Sequence, residues 1–166
     1  MNIDFCKIEC QTNTNKKRFG IYDAEDKSPA KLKYDDENIW NAIVINDNCK
    51  NLLFTAIDNC IEIKKTDGDM DNRCDCMLIY EETLLIIELK NKRDSWQSEG
   101  LSQIEATIKQ MMEDIQFYNK FKKRKAIVAN RKNQFPSFQE SNKEQREYFK
   151  KEYKTRIQFE AEIIIN

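Results

Sequence analysis

The sequence predicts an α/β fold whose core runs helix, three strands, helix, strand over about residues 50–130, within one domain spanning residues 1–166. Three observations carry that expectation. Two apolar runs, Cys74 to Tyr80 and Leu84 to Lys90, flank Glu81-Glu82 and read as adjacent antiparallel strands. From Ser102 onward, Ile104, Ile108, Met111, Met112, Ile115 and Tyr118 keep a helical period. At 166 residues and 40% hydrophobic, the chain is the size of one ordinary domain with enough apolar side chains for a sizeable core.

Taken in order, residues 11–18 are polar throughout and predict a loop. Phe19 to Tyr22 and Ile39 to Ile45 are rich in aromatic and β-branched residues and predict strands that pair as an N-terminal extension of the sheet. After the Asp47-Asn48 cap signal, Leu52, Leu53, Ala56, Ile57 and Cys60 fall at helical spacing and predict the first core helix. Ile61 to Lys65 alternates apolar and polar as a first core strand, followed by a turn at Thr66–Asp69. Strands 74–80 and 84–90 complete the trio.

The second core helix is predicted from Ser102, its cap, to about Asn119, with Glu105 closing a capping box. Lys125 to Ala129 predicts a short buried strand. Beyond a loop holding Pro136, the charged stretch 141–153 predicts an exposed helix, and Arg156 to Ile165 a final strand. Gly (3) and Pro (2) are too scarce to mark a domain boundary, and no repeat or low-complexity segment interrupts the chain.

With 28 basic and 29 acidic side chains the net charge is -1, which names no partner. The distribution is uneven: residues 120–166 hold 13 basic and 6 acidic side chains, and residues 1–119 hold 15 and 23. No apolar run approaches the ~20 residues that span a bilayer, and no basic segment leads into an apolar one at the N-terminus, so the expectation is a cytoplasmic chain with reduced thiols at its six cysteines. The chain has no His, which excludes Ser-His and Cys-His nucleophilic schemes. With no His to join them, neither Cys74-x-Cys76 nor Cys6-x₃-Cys10 makes a convincing zinc site.

A tight hairpin turning at Glu81-Glu82 pairs 80 with 83, 79 with 84 and 77 with 86, which sets Asp75 across from Glu88. Side chains alternate faces with period two, so Lys90 shares the face of Glu88, and an opposed pair has Cβ atoms about 5 Å apart. Met77, Ile79, Leu84 and Ile86 on this face, and Leu78, Leu85, Ile87 and Leu89 on the other, make the sheet buried on both sides. Two carboxylates opposed in such a sheet repel each other unless an ammonium or a divalent cation compensates. Mg²⁺ takes one or two carboxylates and fills its other positions with water and phosphate oxygens. Such an ion lowers the pKa of a bound water and polarises a phosphate, and a nearby Lys orients the water or neutralises developing charge.

Asp75, a spacer of twelve residues, and then Glu88-Leu89-Lys90, in the order helix, three strands, helix, strand, resemble the PD-(D/E)xK nuclease superfamily, which includes restriction endonucleases and archaeal-type Holliday-junction resolvases. The resemblance covers roughly residues 50–130. It implies a restriction-endonuclease-like αβββαβ core with a mixed central sheet between helices, N-terminal strands and a C-terminal helix-strand extension. It implies Asp75 and Glu88 as ligands of Mg²⁺ or Mn²⁺ and Lys90 as the water-positioning group. The aspartate of this motif often follows Pro, and here it follows Cys74. Members often add an acid from the first core helix and a polar residue from the second. Asp58, with Glu62 as its rival, and Gln103 are the candidates for those roles.

The expected function is Mg²⁺-dependent hydrolysis of DNA phosphodiester bonds, in duplex or branched DNA, with a homodimer supplying two sites for duplex cleavage. The alternative is a nuclease-like fold without turnover that binds nucleic acid or a protein partner. Glu-x-Lys alone is commonplace on a solvated strand, and only its conjunction with Ile86-Ile87, with Asp75 opposite and with a helix after it, gives it weight. Gln103 also reads as an exposed helix residue, and the basic run Lys120 to Lys125 reads equally as a phosphate contact or as a helix C-terminus complementing its dipole.

Overall fold

A computed structural model describes residues 3–64, 67–68, 71–132 and 142–166. The expected α/β class holds. A six-stranded mixed sheet carries β1 (Gln11–Thr14), β5 (Leu52–Ala56), β6 (Cys76–Tyr80), β7 (Thr83–Lys90), β8 (Lys123–Asn130) and β9 (Arg156–Phe159) in that spatial order. A four-stranded sheet carries β10 (Glu162–Ile164), β4 (Ala42–Ile45), β2 (Arg18–Tyr22) and β3 (Lys31–Lys33). Helices α1 (Trp96–Glu113), α2 (Ile115–Asn119) and α3 (Lys143–Tyr153) complete the described elements with two short 3-10 turns, Ile8–Cys10 and Glu37–Ile39.

The six-stranded sheet is buried on both faces. On one side Met77, Leu84, Ile86, Ala126 and Val128 pack with Ile104, Ile108 and Met111 of α1 and Phe149 of α3. On the other, Phe54, Leu78, Leu85 and Ile87 pack with Phe19, Ile21, Val44 and Ile163 of the four-stranded sheet. Seven consecutive residues, Thr83 to Leu89, are accordingly buried, which explains why β7 reads as a continuous apolar run rather than an alternating one. Strands β5, β6 and β7 are an antiparallel meander. Two helical crossovers then make β7, β8 and β9 parallel.

Several expectations are corrected. Leu52–Ala56 is a strand, not the first core helix. Its apolar residues face two covered sides, so helical spacing there is a coincidence that ladder hydrogen bonds to β1 and β6 override. Ile61 to Lys64 makes an isolated bridge and no strand, so β5 takes the place of the first core strand. Gln11–Thr14, expected in a loop, pairs with β5. Strands β2 and β4 do pair, in a sheet of their own rather than as an extension of the core sheet. The predicted final strand divides into β9 and β10, one in each sheet.

Helix α1 begins at Trp96, ahead of the expected cap at Ser102, because Trp96 is buried edge-on against Phe159. Glu105 serves no capping box: its carboxylate accepts from the Tyr148 and Tyr153 hydroxyls. The helical stretch breaks at Asp114, whose side chain accepts from Phe117 N at 3.1 Å to start α2. Only Asp67 and Gly68 of the Thr66–Asp69 turn are described, and the loop holding Pro136 lies outside the described residues.

The reduced-thiol expectation is also corrected, since Cys10 and Cys60 form a disulfide. Pairing of β1 with β5 brings their Cα atoms to 5.9 Å, within bridging range. Cys6, Cys49, Cys74 and Cys76 are free. Among the described residues no helix is long and apolar enough to cross a membrane.

Candidate active site

The hairpin register is the one expected, from Tyr80 opposite Thr83 through Met77 opposite Ile86 to Cys76 opposite Ile87. One step further, the carboxylates take over from the backbone ladder. Asp75 N donates to Glu88 Oε2 at 3.2 Å, and Leu89 N donates to Asp75 Oδ2 at 2.7 Å. Asp75 and Glu88 are thereby clasped across the open end of the hairpin, both buried. The Asp75 carbonyl accepts from Ile57 N and Asp58 N, so the end of β5 fixes the same residue from its other side.

Lys90, two residues beyond Glu88 on the same face, places its Nζ 2.9 Å from Glu88 Oε1 and donates to Gln103 Oε1 of α1. Gln103 Nε2 donates to the Arg73 carbonyl at 3.3 Å. Thr107 Oγ1 accepts from Cys74 N at 2.8 Å, and Gln110 Nε2 donates to Asp71 Oδ2 at 3.0 Å. Residues 103, 107 and 110 lie on one helical face. They form a polar stripe that straps the strand entering Asp75 onto α1.

Asp75, Glu88, Lys90 and Gln103 are thus brought together as expected. Asp58 lies beside them after β5 rather than on a helix, and its carboxylate is held at 2.8 Å by Arg73. Glu62 is not part of the cluster: it is exposed, 3.6 Å from Lys64. Asp23, on the loop after β2, was not expected. Its charge reaches Asp75 from the four-stranded sheet more strongly than that of Asp58. No sequence signal pointed to Asp23, because its approach depends on how the two sheets pack. The Thr107 and Gln110 straps had a signal in the polar i, i+4, i+7 spacing from Gln103.

Burial pushes the Asp75 carboxyl up to about 7, with Asp23 and Asp58 adding to the shift while the Leu89 N–H and Lys90 oppose it. Burial first, and then Asp75, push Glu88 well above the ordinary carboxylate range, while Lys90 draws it back. Two buried acids facing one ammonium are short of positive charge when both ionise. Their hard oxygens fit Mg²⁺ or Mn²⁺. Among the described residues no three His, Cys, Asp or Glu side chains converge as a ligand set, so an ion here would take the two carboxylates of Asp75 and Glu88 and otherwise water and phosphate oxygens.

A cleft of about 490 Å³ opens beside Lys90. Another of about 480 Å³ lies between α1 and α3, lined by Trp96, Leu101, Glu105 and Tyr148, and holds no member of the cluster. Compared with protein-family models, curated proteins and solved structures, the chain matches none.

Proposed function

We propose that this protein is a Mg²⁺-dependent nuclease that hydrolyses DNA phosphodiester bonds, of the PD-(D/E)xK type its motif resembles. The observation that carries the reading is Asp75 clasped to Glu88 with Lys90 Nζ 2.9 Å from Glu88 and within reach of Gln103, at the end of a buried hairpin. A divalent ion held by Asp75 and Glu88 would polarise the scissile phosphate and acidify a water. Lys90 has three N–H donors. Two are spent on Glu88 and Gln103, which leaves one to orient the attacking water or a phosphate oxygen. Gln103 holds the ammonium in place, and the α1 straps hold Asp75. The two-site cleavage of a duplex makes a homodimer the natural working form.

A second reading, the same fold binding DNA or protein without turnover, is favoured by one feature. Asp75 and Glu88 each already spend an oxygen on a backbone N–H, which alone gives the pair a structural use.

The deciding experiment is nicking and cleavage of supercoiled plasmid and branched DNA with Mg²⁺ or Mn²⁺, by the native protein, Asp75→Asn and Lys90→Ala. Metal-dependent cutting that falls by about 10²-fold or more in both variants is expected. No cutting by the folded native protein on either substrate leaves the binding reading in its place.

A further inference from the structure

The cleft beside Lys90 is walled by both sheets: Asn38, Trp40 and Asn41 ahead of β4, Lys90 and Asn91 at the end of β7, and Arg131 and Lys132 just past β8. Among the described residues that line it, three side chains are cationic and none is acidic. Its arginine is anchored on the backbone. Arg131 Nη1 donates to the carbonyls of Glu37 at 2.6 Å and Trp40 at 3.0 Å. Buried Asn130 donates to the Lys92 carbonyl and accepts from Lys132 N at 3.0 Å, which fixes where the chain leaves β8. The floor is equally firm, since the Trp40 ring rests on Gly20 so closely that a Cβ there would lie 2.0 Å from it.

The register decides which basic segment flanks the carboxylates. Lys123 pairs with Thr83, whereas Asn130 pairs with Lys90. Lys123 therefore lies seven strand residues, about 23 Å, from the level of Lys90, taking ~3.3 Å per residue, and Lys120 and Lys122 precede it at that far end. Arg131 and Lys132 lie at the near end. With a net charge of -1 the chain has no general attraction for DNA. Charges farther off than about 8–10 Å are largely screened at ordinary salt, so the local cations Arg131 and Lys132, beside a Lys90 already paired with Glu88, are what a phosphate would meet.

We infer that this cleft binds the phosphodiester backbone of DNA, with Arg131 and Lys132 holding phosphates next to the one presented to Asp75, Glu88 and Lys90. The inference rests on the nuclease reading for the substrate's identity. Contacts of this kind fix register and carry no sequence preference. The amides of Asn38, Asn41 and Asn91 supply further donors along the same track.

The test is the anisotropy of a short labelled DNA duplex over a salt series without divalent cation, with Mg²⁺-dependent cutting assayed in parallel. Lys132 is exposed, so Lys132→Ala tests the cleft without threatening the fold. It is expected to weaken binding about 3- to 10-fold at low salt, equally for two unrelated sequences, and to lower the slope of log affinity against log salt by about one. Arg131→Ala with Lys132→Ala is expected to lower it by about two. Lys122→Ala with Lys123→Ala, at the far end, is expected to change little. The inference is overturned if the native protein binds no duplex, or if the far-end pair weakens binding and Lys132→Ala does not. Groove-dependent binding without cutting would sustain the cleft and sink the nuclease, whereas cutting undiminished in the groove variants would do the reverse.

Discussion

A carboxylate that replaces a ladder hydrogen bond in a buried sheet is stabilising as an acceptor and costly as a charge, and pH separates the two effects. Asp75 titrates at about 7 in the folded chain, raised by burial, against about 3.9 when unfolded. Below the unfolded value the group is protonated in both states and contributes nothing. Between the two values the folded chain keeps a proton that the unfolded chain has released, so stability falls as pH rises. Above about 7 the full penalty stands, a few kcal/mol at most, and Glu88, shifted the same way, adds to it. Without divalent cations, Asp75→Asn is therefore expected to melt above the native protein at about pH 8, with the gap closing towards about pH 4. Melting curves at both pH values check this, and a native protein that gains stability over the same interval would contradict it. In the native protein a bound cation should reverse the trend, because it must displace the proton and so binds better as pH rises.

Between elements, the contact that matters most for the site is α1 on β8. A Cβ at Gly100 would meet Val128 Cγ1 at 2.5 Å and Cγ2 at 2.9 Å, so Gly100→Ala must lift the helix. Overpacking of this kind costs about 1–3 kcal/mol, more than the ~1 kcal/mol of helix propensity that Ala returns. Val128 pairs with Glu88, so the same displacement draws Gln103 away from Lys90. We expect Gly100→Ala to lower stability by up to about 2 kcal/mol in denaturant and to reduce cutting, and Val128→Ala added to it to restore part of both. This close approach had no signature in a sequence where Gly100 merely sits ahead of an apolar period. The hairpin of β6 and β7 was legible because its register follows from a local turn, and with it Asp75, Glu88 and Lys90. Strand β5 was not, because its hydrogen bonds come from β1 and β6, and a five-residue run buried on both sides has no period to read.

Across the whole molecule, the N-terminal segment is tied to β5, whose end holds Asp75, and the Cys10–Cys60 bridge is the covalent tie. Antiparallel pairing of Gln11 with Thr55 already holds the two ends close in the folded state. The bridge therefore acts mainly by restricting the unfolded chain, where it closes a loop of 50 residues. The chain-entropy relation gives about 4 kcal/mol for such a loop, and native bridges typically deliver about 2–4. Cys60 stands two residues after Asp58, whose carboxylate holds Arg73, so opening the bridge also loosens a charge that faces Asp75. Denaturant unfolding with and without reductant separates these effects. Reductant is expected to lower the native midpoint by an amount equivalent to about 2–4 kcal/mol and to steepen the transition, since the unfolded chain then exposes more surface. A Cys10→Ser, Cys60→Ser protein should start at the lower midpoint and ignore reductant. If reductant leaves the native midpoint unchanged, the bridge does not form in the folded protein, and the N-terminal segment is held by β1 pairing and by contacts such as Phe5 on Phe117.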